Sequence, residues 1–383
     1  MNPQNATPTI TQADADLEAL RASLFDSQAG RGLLKEIEEL ATQLTSTVTL
    51  MEVCGTHTHA IAAAGLRRLM PEKVRLVSGP GCPVCVTPIG WVDHAVALAA
   101  LPDTIVTTFG DLMRVPSSHG TLEEARATGS DIRICYSTRD ALQVARDNPD
   151  QRVIFLAVGF ETTAPTIAGA LAEAERDGVG NFMILPGHKT MPGPLRVLVD
   201  DESVDLHGLL CPGHVSVIIG SEAYQEIAQS GVPCTVVGFA PNDVLTGVID
   251  LLKQILSDQH KVSNQYKRVV KPEGNPAALQ LLDKFFEPAD ADWRGLGPIP
   301  ESGLTLRAEY AHRDASLIQV DLPTPREPKG CRCGEVLRGS INPPECPLFA
   351  KGCDPQHAVG ACMVSSEGTC AAWYRHERLA MSE

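Results

Sequence analysis

Short, continuously apolar runs recur along this chain, and they constrain its fold more than any other feature. TVTLMEV, VRLVSG, TIVTTFG and IRICYS come first, followed by RVIFLAVG, NFMILPG, LHGLLCP and CTVVGF, with helix-length stretches between them. A strand with one wet face alternates apolar and polar residues, whereas a strand covered on both faces does not. Such runs alternating with helical segments predict a parallel α/β architecture. EVCGTHTH is weakly echoed by AVGFETTAP, and TIVTTFGDLMRV by CTVVGFAPNDVL. The echoes point to two similar parallel-sheet α/β domains around a cleft, because ligand sites in such folds lie at the carboxyl ends of strands.

With 383 residues, 43% of them hydrophobic, the chain can bury more than one core. The expected divisions are residues 1–46 for N-terminal helices, 47–150 for a first α/β domain, 151–300 for a second with a connecting region, and 301–383 for a cysteine-rich region. Leu17, Leu20 and Leu24, then Leu33, Leu34, Ile37 and Leu40, recur at helical spacing, and Gly30 between them predicts two helices. From Asp258 to Gly330 the pattern is irregular and rich in proline, which predicts a connecting segment.

A formal charge of -15 argues against a nucleic-acid backbone or an anionic membrane surface as partner. The N-terminus lacks the basic start and apolar run of a secretory signal, and no stretch reaches about 18 uninterrupted apolar residues, so a cytoplasmic location is expected. In that compartment twelve cysteines are poor candidates for a structural disulfide framework, and metal ligation or redox work is favoured.

Six of the twelve lie in the tail: Cys331, Cys333, Cys346, Cys353, Cys362 and Cys370. Four thiolates are the usual ligand set of a [4Fe–4S] cluster, which would leave two over. The spacing alone does not choose a cluster over zinc, and free or disulfide-bonded thiols remain a third reading. Upstream, GPGCPVC sets Cys82 and Cys85 in a C-x-x-C pair stiffened by Pro80 and Pro83, able to close a disulfide or to ligate a metal. CGTHTH places Cys54, His57 and His59 just after a strand. Helical residues two apart point to nearly opposite sides, so Cys54 is expected as a metal ligand and one histidine as a supporting hydrogen-bond or acid–base group. GFETT with Glu161 and Thr162, PGHK with His188 and Lys189, CPGHVS with Cys211, His214 and Ser216, and FGD with Asp111 read as loops where backbone approaches a ligand, although each is also an ordinary turn sequence. No glycine spacing of Walker or Rossmann type is present, so nucleotide binding has no motif behind it.

Together CGTHTH, GPGCPVC, GFETT, PGHK, CPGHVS and the tail segments CRCGEVLRG, PPECPLF and GACMVSSEGTC resemble the HypD family of hydrogenase maturation proteins, from about Thr47 to Tyr374. The resemblance implies two α/β domains, a cluster-bearing C-terminal region, and a part in building the Fe(CN)2CO group of [NiFe]-hydrogenases. It implies a [4Fe–4S] cluster on Cys331, Cys346, Cys353 and Cys370, with Cys333 and Cys362 as a redox-active pair beside it. It also makes Cys54 a ligand of a transient iron carrying cyanide and carbon monoxide, shared with a HypC-type chaperone, and Cys82 and Cys85 an essential thiol pair. Cyanide would come from a HypE-type partner, with His57, Glu161 and His214 as candidates for hydrogen bonding or proton transfer to it. The chain itself is expected to be a monomer within heteromeric complexes, an assembly scaffold rather than a conventional turnover enzyme. Competing readings are an iron–sulfur-dependent disulfide reductase acting on a partner protein and a zinc-bound interaction module.

Overall fold

The computed structural model describes residues 26–201 and 204–378. Nine strands build its two parallel sheets: β1 (Val48–Glu52), β2 (Val74–Ser78), β3 (Thr104–Thr108), β4 (Asp131–Ile134), β5 (Arg152–Gly159), β6 (Phe182–His188), β7 (Gly208–Pro212), β8 (Cys234–Val237) and β9 (Val262–Asn264). One sheet has the order β2-β1-β7-β8-β9 and the other β4-β3-β5-β6. All residues of β1, β3, β7 and β8 are buried, as continuous apolar runs require when helices cover both faces of a sheet. The expected parallel α/β class is therefore observed.

The sheets are interleaved along the chain. A cut at residue 150 falls between β4 and β5, inside the four-stranded sheet, while the five-stranded sheet takes two strands from before it and three from after. The joint between the early and late strands is the pairing of Leu50 with Gly208. A side chain at Gly208 would come within 3.0 Å of the Leu50 side chain, so glycine lets β7 lie close against β1. The internal echo does not correspond to equivalent strand positions: β5 and β3 are neighbours, whereas β7 separates β1 from β8.

Near the N-terminus the described residues form one helix, Ser27–Ala41, and the expected helix over Leu17–Leu24 lies outside them. Gly30 does not break the helix. It sits buried in the first turn, where an added Cβ would lie 3.0 Å from the Asn242 side chain, so it serves helix–helix packing. Nor is the segment after Asp258 simply irregular. Helix Pro276–Phe285 leads into an antiparallel hairpin of β10 (Phe286–Trp293) and β11 (Gly297–Leu306), whose acidic, largely exposed first strand disguised it.

The cysteine-rich tail is built of short helices, Cys333–Leu337, Ala361–Val364 and Thr369–His376, joined by loops. A buried ionic network ties it to the first sheet. Arg67 donates to Glu377 at 2.6 Å and to Ser78 at 2.7 Å, lies 3.7 Å from the Glu52 carboxylate, and stacks over Trp373. Among the described residues, no helix is long and apolar enough to cross a membrane.

Candidate functional site

The motifs singled out in the sequence follow strands of both sheets, at their carboxyl ends. Cys54 follows β1 and is the N-cap of helix Gly55–Ala63. Its sulfur is approached by the Thr56 and His57 amides, which favour a thiolate, but burial dominates and pushes the thiol up to about 12, with Glu367 and Glu52 adding to the rise. At neutral pH the free thiol is protonated, and a bound metal would take the place of that proton. The Cys54 N–H donates to Glu52 at 3.1 Å, and Thr58 donates to the same carboxyl group at 2.6 Å.

The C-x-x-C loop passes directly over this cysteine. Gly55 N–H donates to Gly81 O at 2.9 Å, and a Cβ at Gly81 would fall 2.1 Å from Cys54 N, a distance no side chain can occupy. The next residue, Cys82, caps helix Pro83–Val86 and is joined to Cys85 as a disulfide.

His57 and His59 diverge, as their spacing requires. His57 donates from Nε2 to Gly238 O at 2.9 Å, leaving Nδ1 as an unpartnered acceptor, and burial pushes its pKa down to about 4 so that the ring stays neutral. His59 instead meets His376 edge-on. His57 stacks on Phe239 with centroids 4.7 Å apart, and His214 stacks on the same ring at 3.9 Å. Phe239 thus connects the two histidines, and it was not picked out from the sequence although its Gly-Phe echoes that of GFETT. Glu367 was missed too. It accepts from Thr56 at 2.8 Å and packs against Gly55, where a Cβ would meet it at 2.5 Å; its one sequence signal is its place three residues before Cys370 in SSEGTC.

Glu161 lies apart from Cys54, just after β5. One oxygen accepts from Met191 N–H at 2.9 Å and the other is buried without a hydrogen-bond partner. Tyr224 senses its charge and shares a hydrogen bond with Ser216, while Asp111 accepts from Ser365 in the tail. Burial raises Glu161, and likewise Glu52, to about 7. Carboxyls raised in this way hold protons that the unfolded chain has released, so their stabilising contribution is present below about 4.5 and is lost as pH rises to about 7. Buried His57 and His188, whose pKa values are lowered, act in the opposite sense between about 3 and 6.5, so the net slope mixes both. The difference between wild type and Glu161→Gln isolates one group: urea unfolding from pH 5 to 7.5 should show a slope difference of up to about 1.4 kcal/mol per pH unit. Identical slopes would mean that Glu161 is ionised throughout.

All six tail cysteines line one small, apolar-walled cavity. Cys333 and Cys362 have their sulfurs 3.0 Å apart, and Cys333 is held below the ordinary thiol range by hydrogen bonds from Cys331 and Cys362, with the Arg294 charge assisting. Gly360 makes room for Cys331, since a Cβ there would be 2.7 Å from its sulfur, and Val359 N–H donates to the Cys353 sulfur at 3.3 Å. Among the described residues no three His, Cys, Asp or Glu side chains converge as on a single ion. A four-iron cluster makes a different demand, one thiolate on each iron around a body, and an apolar pocket of cysteines with an N–H···S bond suits it. The Cys85 sulfur lies 4.0 Å from Ala361 O, beside Cys362, so the upstream disulfide abuts this tail.

Parallel sheets whose strand ends present a buried cysteine and a C-x-x-C disulfide, with a six-cysteine pocket in the tail beside them, define a cysteine-centred α/β protein. The HypD family model, described as the hydrogenase formation hypA family, matches residues 28–377. The chain is 46% identical over 354 residues to hydrogenase maturation factor HypD of Escherichia coli K12, covering 90% of this chain and 95% of that protein. Against HypD of Rhodobacter capsulatus it is 44% identical over 362 residues, 92% of this chain and 96% of that one. The hydrogenase expression/formation protein HupD of Azotobacter chroococcum is 42% identical over 338 residues, 86% and 89% of the two chains. The chain belongs to the HypD family of hydrogenase maturation factors.

Proposed function

We propose that this chain is the scaffold on which the Fe(CN)2CO group of a [NiFe]-hydrogenase is assembled, with the iron atom as cargo held by Cys54. The observation that carries the reading is the Gly55–Gly81 contact, which gives a buried thiol and a redox-active pair a common wall. A thiolate is a soft donor matched to iron bearing cyanide and carbon monoxide. A HypC-type chaperone would supply a second cysteine to the same iron, and a HypE-type partner would deliver the cyanide. Neutral His57, with an unpartnered Nδ1, and His214, stacked on the same Phe239 ring, would hydrogen-bond or exchange protons with ligands on that iron.

Cys331, Cys346, Cys353 and Cys370 would hold a [4Fe–4S] cluster, which when bound supplies electrons one at a time. The protein's own thiols carry the two-electron step. Reducing the Cys82–Cys85 disulfide takes two electrons and two protons; the Cys333/Cys362 dithiol gives up both and becomes a disulfide in turn. The abutment of Cys85 on Ala361 supports this pairing.

The test is an anaerobic infrared spectrum of the chain purified with its small partner, together with iron content and visible absorbance. Bands in the cyanide and carbonyl region with more than about four irons per chain are expected. Absorbance of a cluster without those bands would replace the scaffold by a disulfide reductase acting on a partner protein.

A further inference from the structure

The PGHK segment takes no part in the site around Cys54. It opens instead onto a cavity of about 700 Å3 between helix Ile89–Ala99, the end of β6 and the β10–β11 hairpin. That volume lies within the range of small-molecule sites. His188 is 1% exposed, and neither ring nitrogen has a hydrogen-bond partner. Lys189 is 6% exposed and its amine forms no hydrogen bond or ion pair among the described residues; Asp292 is the charge that it senses. Arg294 spends Nε on Thr87 O and Nη1 on Glu327, but its buried Nη2 is unpartnered. Buried polar groups without partners are costly in a native protein, and the His188 ring and Arg294 Nη2 on one cavity ask for something to satisfy them.

We infer that this cavity is a binding site for a small organic anion, a carboxylate or phosphate ester with a planar or apolar body. Charge is graded with depth. Lys189 and Arg294 are buried, while Asp290, Asp292 and Glu327 are water-exposed, where solvent screens them. An anionic head therefore belongs on the floor, against Lys189, Arg294 Nη2 and a His188 N–H. Trp91 supplies a wall for the body: its Nε1 is fixed to Pro186 O at 2.6 Å, and its ring lies so close over Gly187 that a Cβ there would be 2.8 Å away. Burial lowers Lys189 only to about 8, so it keeps its charge at neutral pH. The site also stands directly behind the upstream thiols, because Arg294 N–H and Nε hold Val86 O and Thr87 O at the end of the helix that carries Cys85. The inference does not depend on iron binding at Cys54.

Calorimetric titration of the purified full chain with benzoate, phenyl phosphate, inorganic phosphate and benzyl alcohol tests it. Benzoate or phenyl phosphate should bind one per chain with Kd below about 1 mM, and benzyl alcohol should not. Lys189→Gln should weaken the anion about tenfold or more, and Trp91→Ala should weaken the aryl anions but not inorganic phosphate. A measurement on the wild-type chain guards against misfolded variants: the bound anion should protect Lys189 from acetylation, read by mass spectrometry. Absence of binding by every anion, equal binding of the alcohol, or acetylation of Lys189 unaffected by the anion would each overturn the assignment and leave a cavity filled by water.

Discussion

Cys54→Ala is expected to remove the iron–cyanide and carbonyl infrared bands of the partner complex while leaving the absorbance of the tail intact. The side chain is a single sulfur at 8% exposure, and its truncation costs on the order of 1 kcal/mol in burial, too little to unfold the protein. The Gly81 loop and the Glu52 hydrogen bond both engage the backbone of Cys54, so the surrounding geometry survives the change. What disappears is the one soft donor at this strand end. The thiol, pushed up to about 12, must release a proton when iron binds, so apparent iron affinity of the wild type should rise about tenfold per pH unit between pH 6.5 and 8.5. Bands that persist in Cys54→Ala would place the iron on another ligand.

Arg67→Leu should be strongly damaging although it removes no cysteine. It strands Glu52 and Glu377, whose side chains are only 1% and 5% exposed, without their cation. Breaking a buried pair from one side costs about 3–5 kcal/mol. Glu52 can escape by taking up a proton, so the loss should be larger at pH 8 than at pH 6. Because Arg67 also stacks on Trp373 of the tail helix, the damage should be concentrated there, seen as faster proteolysis within residues 331–378 and loss of visible absorbance. A uniform loss of stability with the tail still protected would show that the network is not what holds the tail in place.

Strand positions were legible because burial on both faces leaves a local mark, a run such as RVIFLAVG. Strand partnership was not. Nothing in TVTLMEV says that its neighbour is LHGLLCP, some 150 residues on, since parallel pairing needs only two apolar faces at the right spacing. Hairpin β10–β11 was missed for the converse reason: its first strand carries exposed Glu287, Asp290 and Asp292, and the acids outweighed the alternation. Within the site, cysteines and histidines announced themselves by type. Phe239 and Glu367 did not, because stacking on two imidazoles and packing against Gly55 are facts of tertiary placement. His188 and Lys189 were read as part of a loop where backbone approaches a ligand, and they line a cavity that does not include Cys54.

The interleaving of the two sheets also orders events during synthesis. Residues 104–188 contain every strand of the four-stranded sheet, so that half can close while later sequence is still on the ribosome. The pair β1–β2, made first, must wait with one edge of β1 open until Gly208–Pro212 emerges. During that interval Cys54 and the Cys82/Cys85 loop have neither β7 beside them nor the tail above. A nascent chain of this protein thus leaves these thiols uncovered until the Thr369–His376 helix emerges and packs against helix Gly55–Ala63.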